Sequence, residues 1–169
     1  MKNIQIFIMG MLTLLVIHCS ATPQGREVSS DQIRKMHLSP VAQGGRGWSQ
    51  VGYADMIHLD GVVENLVPYN EDNKIDAWEL TNGAVGMNGI ARHVVYVGGV
   101  LKDAKTPFDT RTEAQKQALK AYVFKFLKNH PDKKVAAHYH FANKACPSFD
   151  VEKWLKEIGV PDANIYKKV

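Results

Sequence analysis

The sequence predicts a single α/β domain with a mixed central β-sheet flanked by helices. Three observations lead there. Short apolar runs rich in β-branched residues alternate with segments of helical spacing. No linker or compositional break divides the chain. Its 169 residues are enough to bury one core without disulfide staples. Charge is well mixed and apolar content ordinary, which excludes disorder and fibrous repeats. The net charge of +4 favours an anionic partner such as cell wall, nucleic acid or lipid headgroups. Lys and Arg are scattered, however, with no dense run among aromatics, so no nucleic-acid partner is expected.

The N-terminus allows two incompatible readings. MKNIQIFIMGMLTLLVI has a basic residue and then an apolar stretch, too short for a stable membrane span but suited to a signal-peptide core. Cys19-Ser20-Ala21 offers a small-x-small cleavage site, although His18 ahead of Cys19 argues against lipoprotein processing. Alternatively, Leu12 to Cys19 is a strand buried on both faces. Residues 1–10 are then an upstream extension, with Met11 as a start, and residues 11–169 form the domain. Cleavage at Cys19 or Ala21 would discard His18. Local features alone leave the choice open.

The remaining elements follow in order. Ser29 and Gln32 make a capping box that opens a helix through about His37. After the glycine-rich loop QGGRG, Asp60-Gly61 between two apolar runs predicts a hairpin of Tyr53–Leu59 with Val62–Val67. Residues 68–91 read as a long surface excursion of the kind that binds rather than connects. Arg92–Val97 is a buried strand ended by Gly98-Gly99. Thr112 and Gln115 form a second capping box. The helix it opens keeps its spacing through Leu119, Tyr122, Val123, Phe126 and Leu127, until His130-Pro131 stops it. Lys134–His138 is a short strand, and Asp150 caps a last helix bearing Val151, Trp154, Leu155 and Ile158.

Chemistry concentrates in AHYHFANKACPSFD. The chain has two cysteines and seven histidines. His138 ends a predicted strand and Cys146 follows eight residues on. Imidazole and thiolate suit Zn²⁺, and a catalytic zinc site needs three protein ligands and one open position. His18, at the end of its own buried strand, is the best third candidate. Against this, a lone strand-end His is commonly structural and a lone Cys is commonly a small core hydrophobe.

IHCSAT, GWSQVGY, the YVGG strand end, DTRTEAQ and KACPSFD occur in that order and at fitting distances from Leu12 to Leu155. Together they resemble the zinc-dependent N-acetylmuramoyl-L-alanine amidases of the phage-lysozyme and peptidoglycan-recognition-protein group. The resemblance implies a zinc site at strand ends with ligands His18, His138 and Cys146. It implies catalytic roles for Tyr53 and Lys144, and cleavage of the amide between the lactyl group of muramic acid and L-alanine. Zinc would activate water and polarise the carbonyl, while a phenol and an ammonium would steady the oxyanion. The chain departs from the group in three places. Ala54 follows the tyrosine where many relatives have His. WELTNGAVGMNG replaces a loop that often carries His ahead of a GxN turn. His93 stands where relatives often have a small residue, and its role is unassigned. His140 is not expected to ligate, His37, His58 and His130 read as structural or exposed, and the substrate subsites are undefined.

If His18 is a ligand it must be retained, so LLVIHCSATP becomes the first core strand, with Cys19 facing away from the metal. The expected protein is a monomeric phage or prophage lysis enzyme acting on peptidoglycan or a muropeptide. It would be cytoplasmic until lysis; export through the signal-like N-terminus is the alternative. Two other functions compete: a peptidase using Cys146 as nucleophile with His138 or His140 as base, and a non-catalytic muropeptide-binding module.

Overall fold

The computed structural model describes residues 10–169, so nearly all of the expected N-terminal extension lies outside the described residues. The described chain is built on a sheet of β1 (Leu14–Cys19), β3 (Asp55–Ile57), β4 (Val63–Asn65), β5 (Ala91–Tyr96) and β7 (Lys134–Ala137). Their spatial order is β4-β3-β5-β1-β7. β1 pairs in parallel with β5 and β7, β3 in parallel with β5, and β3 with β4 antiparallel, which makes the sheet mixed as expected. A small parallel pair, β2 (Thr22–Pro23) with β6 (Gly99–Val100), extends the ends of β1 and β5.

β1 lies between two neighbours, and all six of its residues are buried. That explains its continuous apolar character. The connection from β1 to β3 contains α1 (Ser30–Leu38), and the one from β5 to β7 contains α2 (Glu113–Asn129). The two crossovers run in opposite directions across the sheet, so right-handed connections put the helices on opposite faces. The side chains agree. Leu15, Ile17, Ile57, Val94, Tyr96, Val135 and Ala137 meet Leu119, Val123 and Phe126 of α2 together with Trp154 and Leu155 of α3 (Val151–Glu157). On the other face Met56, Val95 and Val97 meet Ile33 of α1.

Both capping boxes form: Ser29 with Gln32 and Thr112 with Gln115. The hairpin is shorter than expected, with only three residues per strand. Asn65 curls its side chain back onto the Ala54 and Val67 carbonyls, and the Leu66 amide turns to the Ala54 carbonyl, which ends the ladder. β7 stops at Ala137 rather than His138, because the backbone turns there into a single 3-10 turn, His138–His140. The excursion over residues 68–91 is less of a surface loop than its composition suggests. Ile75, Leu80 and Thr81 are buried, and the buried Glu79 carboxylate accepts the Asn70 and Asp76 amides, each at 2.7 Å.

Gln115 does more than cap. Its side chain is fully buried, accepts the Thr112 amide at 3.0 Å and donates to the Val97 carbonyl at 2.9 Å, tying α2 to the end of β5. Replacing it with alanine strips both backbone groups of that partner and leaves a cavity. Gln115→Ala should therefore lower unfolding free energy by roughly 2–4 kcal/mol in urea titration. A loss below about 0.5 kcal/mol, the scale of a neutral surface substitution, would mean the bridge contributes nothing.

Candidate metal centre

The parallel strands β1 and β7 end on the same edge of the sheet, and the candidate site lies there. Side chains alternate along a strand, so His18 shares a face with Leu14 and Val16, and His138 continues the face of Ala136. His18 is 1% exposed, and its Nδ1 lies 3.2 Å from Nδ1 of the partly buried His138. Cys146 comes from the loop between β7 and α3, and its Sγ is 3.8 Å from His18 Nδ1. The three ligand atoms all fall within 4.8 Å of one another. Local bonds fix the loop that carries Cys146. Tyr139 N–H donates to the Cys146 carbonyl at 2.9 Å, and the buried Tyr96 hydroxyl donates to the Pro147 carbonyl at 2.6 Å.

Cys19 turns to the opposite face, into the α2/α3 core, as alternation requires. It is nonetheless part of the neighbourhood, because its backbone N–H points at Cys146 Sγ from 3.3 Å. The neighbouring Cys19 side chain, followed by burial, holds the Cys146 thiol well above its ordinary range. A coordinated divalent cation reverses this and deprotonates a thiol outright.

Both histidines are held neutral, with a lone pair to offer. Burial is the main cause for each. The neighbouring imidazoles and Lys144 add to it for His18, and Lys144 adds to it for His138, which falls to about 4. Lys144 itself is exposed, two residues before Cys146, and its charge also favours the Cys146 thiolate. Tyr53 stands over the site, its ring 5.2 Å from that of His18. Burial, with the two sulfurs adding to it, raises the Tyr53 phenol far above its usual range, so it stays a hydrogen-bond donor.

The structure thus brings together His18, His138, Cys146, Tyr53 and the charge of Lys144. His140 turns away, accepting the Ala137 amide at Nδ1 and meeting Glu152 at Nε2. His58 lies between Glu27 and Glu64, and His130 meets Asn73 and Glu71. His37 has a role that the sequence left open. From α1 it accepts the Gly52 amide at 3.1 Å and wedges between Trp48 and Tyr53, which fixes the loop carrying Tyr53. The residue that sequence reasoning could not place is His93. It is fully buried on β5, with Nδ1 2.9 Å from His18 Nε2.

Burial depresses His37 to about 4 and His93 to about 3, alongside His18 and His138. All four stay neutral in the folded chain where the unfolded chain takes up protons near the ordinary histidine value of 6.5. The unfolded state then binds more protons, so stability is lost as pH falls below that value. His58 runs the other way. Its hydrogen bonds to Glu64 and Glu27 outweigh burial and raise it, which offsets part of the loss. Chelator-treated protein should therefore show a lower urea midpoint at about pH 5 than at pH 7, a window in which ordinary carboxylates stay ionised. A flat profile across that window would contradict neutral burial of the cluster.

No protein-family model matches the chain. It is 34% identical over 144 residues to the endolysin of Escherichia phage T7, covering 85% of each protein. Among solved structures, the fold is similar to that of the Ph2119 endolysin from Thermus scotoductus bacteriophage Ph2119. That match has a TM-score of 0.66 at 21% identity, over 89% of this chain and 86% of that one. It is also similar to the N-acetylmuramoyl-L-alanine amidase LysCS from Clostridium intestinale, with TM-score 0.62 at 22% identity, over 89% and 85%. With a third of positions identical to the T7 protein across most of both lengths, this chain belongs to the phage endolysin family.

Proposed function

We propose that this chain is a zinc-dependent N-acetylmuramoyl-L-alanine amidase that cuts the amide joining muramic acid to the L-alanine of the stem peptide. The observation that carries the reading is the two-nitrogen, one-sulfur set of His18, His138 and Cys146. Tetrahedral zinc with bonds of about 2.0–2.1 Å to nitrogen and 2.3 Å to sulfur spaces its ligand atoms about 3.3–3.6 Å apart. The 3.2 Å and 3.8 Å separations here suit such an ion. Three protein ligands leave one position open, which is the pattern of catalytic sites rather than structural ones. Bound zinc would supply Lewis-acid polarisation of the amide carbonyl and acidify a water.

The chain's own groups do the rest. His18 and His138 supply neutral lone pairs and Cys146 a thiolate. The Tyr53 hydroxyl keeps its proton and donates to the oxygen of the scissile carbonyl as negative charge develops there. The exposed Lys144 ammonium adds positive charge to the neighbourhood of the ligands. Donors placed in advance cost no reorganisation as the transition state forms. Net reaction adds water across the C–N bond, leaving a lactyl carboxylate and a free α-amine on alanine.

Peptidoglycan or a soluble muropeptide is the substrate, and the chain acts as a monomer that reaches the wall when the host cell is opened from within. Among the described residues no helix is long and apolar enough to cross a membrane. A thiol peptidase built on Cys146 fits less well, because a thiol held above its ordinary range is a poor nucleophile at neutral pH.

Purified peptidoglycan incubated with the protein should release new N-terminal alanine. That activity should vanish with a chelator, return with zinc, and be absent in Cys146→Ser and His138→Ala. Activity that ignores chelators but is lost on thiol alkylation would support the peptidase instead. Tyr53→Phe should retain zinc and fall by roughly 10²–10³ in kcat, the usual cost of one oxyanion donor. An unchanged kcat would remove Tyr53 from the mechanism.

A further inference from the structure

We propose that His93 is the positioning residue of the metal centre: its Nδ1 accepts the Nε2 proton of His18 and so fixes the tautomer and ring orientation in which His18 offers Nδ1 to the cation. The inference rests on the metal-centre reading above. It concerns a residue outside the three-ligand set.

The geometry leaves little choice of proton placement. His18 Nδ1 faces His138 and Cys146, at 3.2 and 3.8 Å. An imidazole that ligates through Nδ1 carries its proton on Nε2, and ligating histidines regularly hand that second N–H to an acceptor. Here the atom in reach is His93 Nδ1 at 2.9 Å. His93 and His18 sit on adjacent parallel strands, with His93 in register beside Val16. Side chains two residues apart share a face, so the rings of positions 18 and 93 meet on the side of the sheet that carries the site. The centroids are 5.0 Å apart with the planes tilted by 59°. Once His93 Nδ1 accepts, its own proton must be on Nε2.

That second nitrogen is the informative one. His93 is 0% exposed, and its Nε2 has no hydrogen-bond partner among the described residues. A buried imidazole with one nitrogen unsatisfied is a poor choice for packing alone, and an apolar side chain would fill the place at less cost. The ring is therefore held for what its Nδ1 does. The covering loop is shaped around it. A Cβ on Gly83 would come within 2.4 Å of His93 Cγ and 2.5 Å of Nδ1, so any larger residue there would push the ring off His18. The acceptor is also a neutral imidazole rather than a carboxylate. It orients His18 without adding negative charge beside the centre, which leaves the cation more of its own charge to act on a carbonyl.

The test uses the full chain and three variants. His93→Leu keeps bulk and removes the acceptor. His93→Asn can place an oxygen near the position of Nδ1. His93→Gln carries its amide one bond further out, near the position of Nε2. Zinc affinity is read by competition with a chromophoric chelator, the ligand field by absorption of the Co²⁺-substituted protein, and metal-free stability by urea titration. His93→Leu and His93→Gln should bind zinc 10–100-fold more weakly than the parent, with altered cobalt bands. Metal-free His93→Leu should be at least as stable as the parent, and His93→Asn should recover most of the affinity and the parental spectrum. Parental zinc affinity in His93→Leu, or in His93→Gln should the leucine variant not fold, would overturn the assignment and leave the metal centre standing. So would His93→Asn failing as badly as the others. A parent that binds no zinc at all would instead bring down the metal-centre reading on which this rests.

Discussion

Everything at this site depends on one placement: a histidine on the central strand of the sheet. β1 has neighbours on both sides and a packed layer on each face, so water cannot serve the ring of His18. A buried imidazole needs partners for both nitrogens or it weakens the fold. The structure provides them from opposite directions. Nδ1 meets the turn after β7 and the loop before α3, while Nε2 meets β5. The rest of the local architecture can be traced to that demand. Tyr96 and Tyr139 pin the Cys146 loop, and the 82–88 loop folds over His93 through the Asn82–Asn88 side-chain bond.

The same placement sets the electrostatics. Three imidazoles and two thiols are gathered in a region of low dielectric, with Lys144 as the nearby cation. Among the described residues no carboxylate is hydrogen-bonded or ion-paired to the ligand atoms, so the cluster does not relieve itself by forming a salt bridge. It can stay neutral, or it can share a cation. Neutrality is enforced by burial, which drives protons off the histidines. His18, His138 and Cys146 together offer the donor set of a metal site, and a metal ion bound there would add its binding energy to the stability of the folded chain.

How far all this was legible in the sequence varies with the range of the interaction. Local signals read well. The capping boxes at Ser29 and Thr112, the Asp60-Gly61 turn and the buried run ending at Cys19 each depend on residues a few positions apart, and each formed. Signals that need the register between distant strands did not read. His93 lies 75 residues from His18, and nothing local says that its ring shares a face with position 18. The parallel pairing of β1 with β5 decides that, and only the folded sheet supplies it. His37 is a similar case: the sequence leaves it structural or exposed and does not say that Gly52 and Tyr53 are what it meets. Residues 68–91 misled for the opposite reason. Their polar, glycine-rich composition matches an exposed loop, yet Glu79 and the asparagines satisfy the segment's own backbone and let it lie against the sheet.

Topology, more than local pattern, gives the Leu14–Cys19 run its place in the sheet. A cleavage at Cys19 or Ala21 would remove β1, and with it the partner of both β5 and β7. The sheet would separate into β4-β3-β5 on one side and a lone β7 on the other, with the core between α2 and α3 losing Leu15 and Ile17. An uncharged apolar run of about eight residues fits both the core of an export signal and a buried strand. The difference lies in what the run is paired with. Here it is paired on both edges and packed on both faces, and the histidine near its end is buried with the rest. LLVIHCSATP is a core strand because the domain has no centre without it.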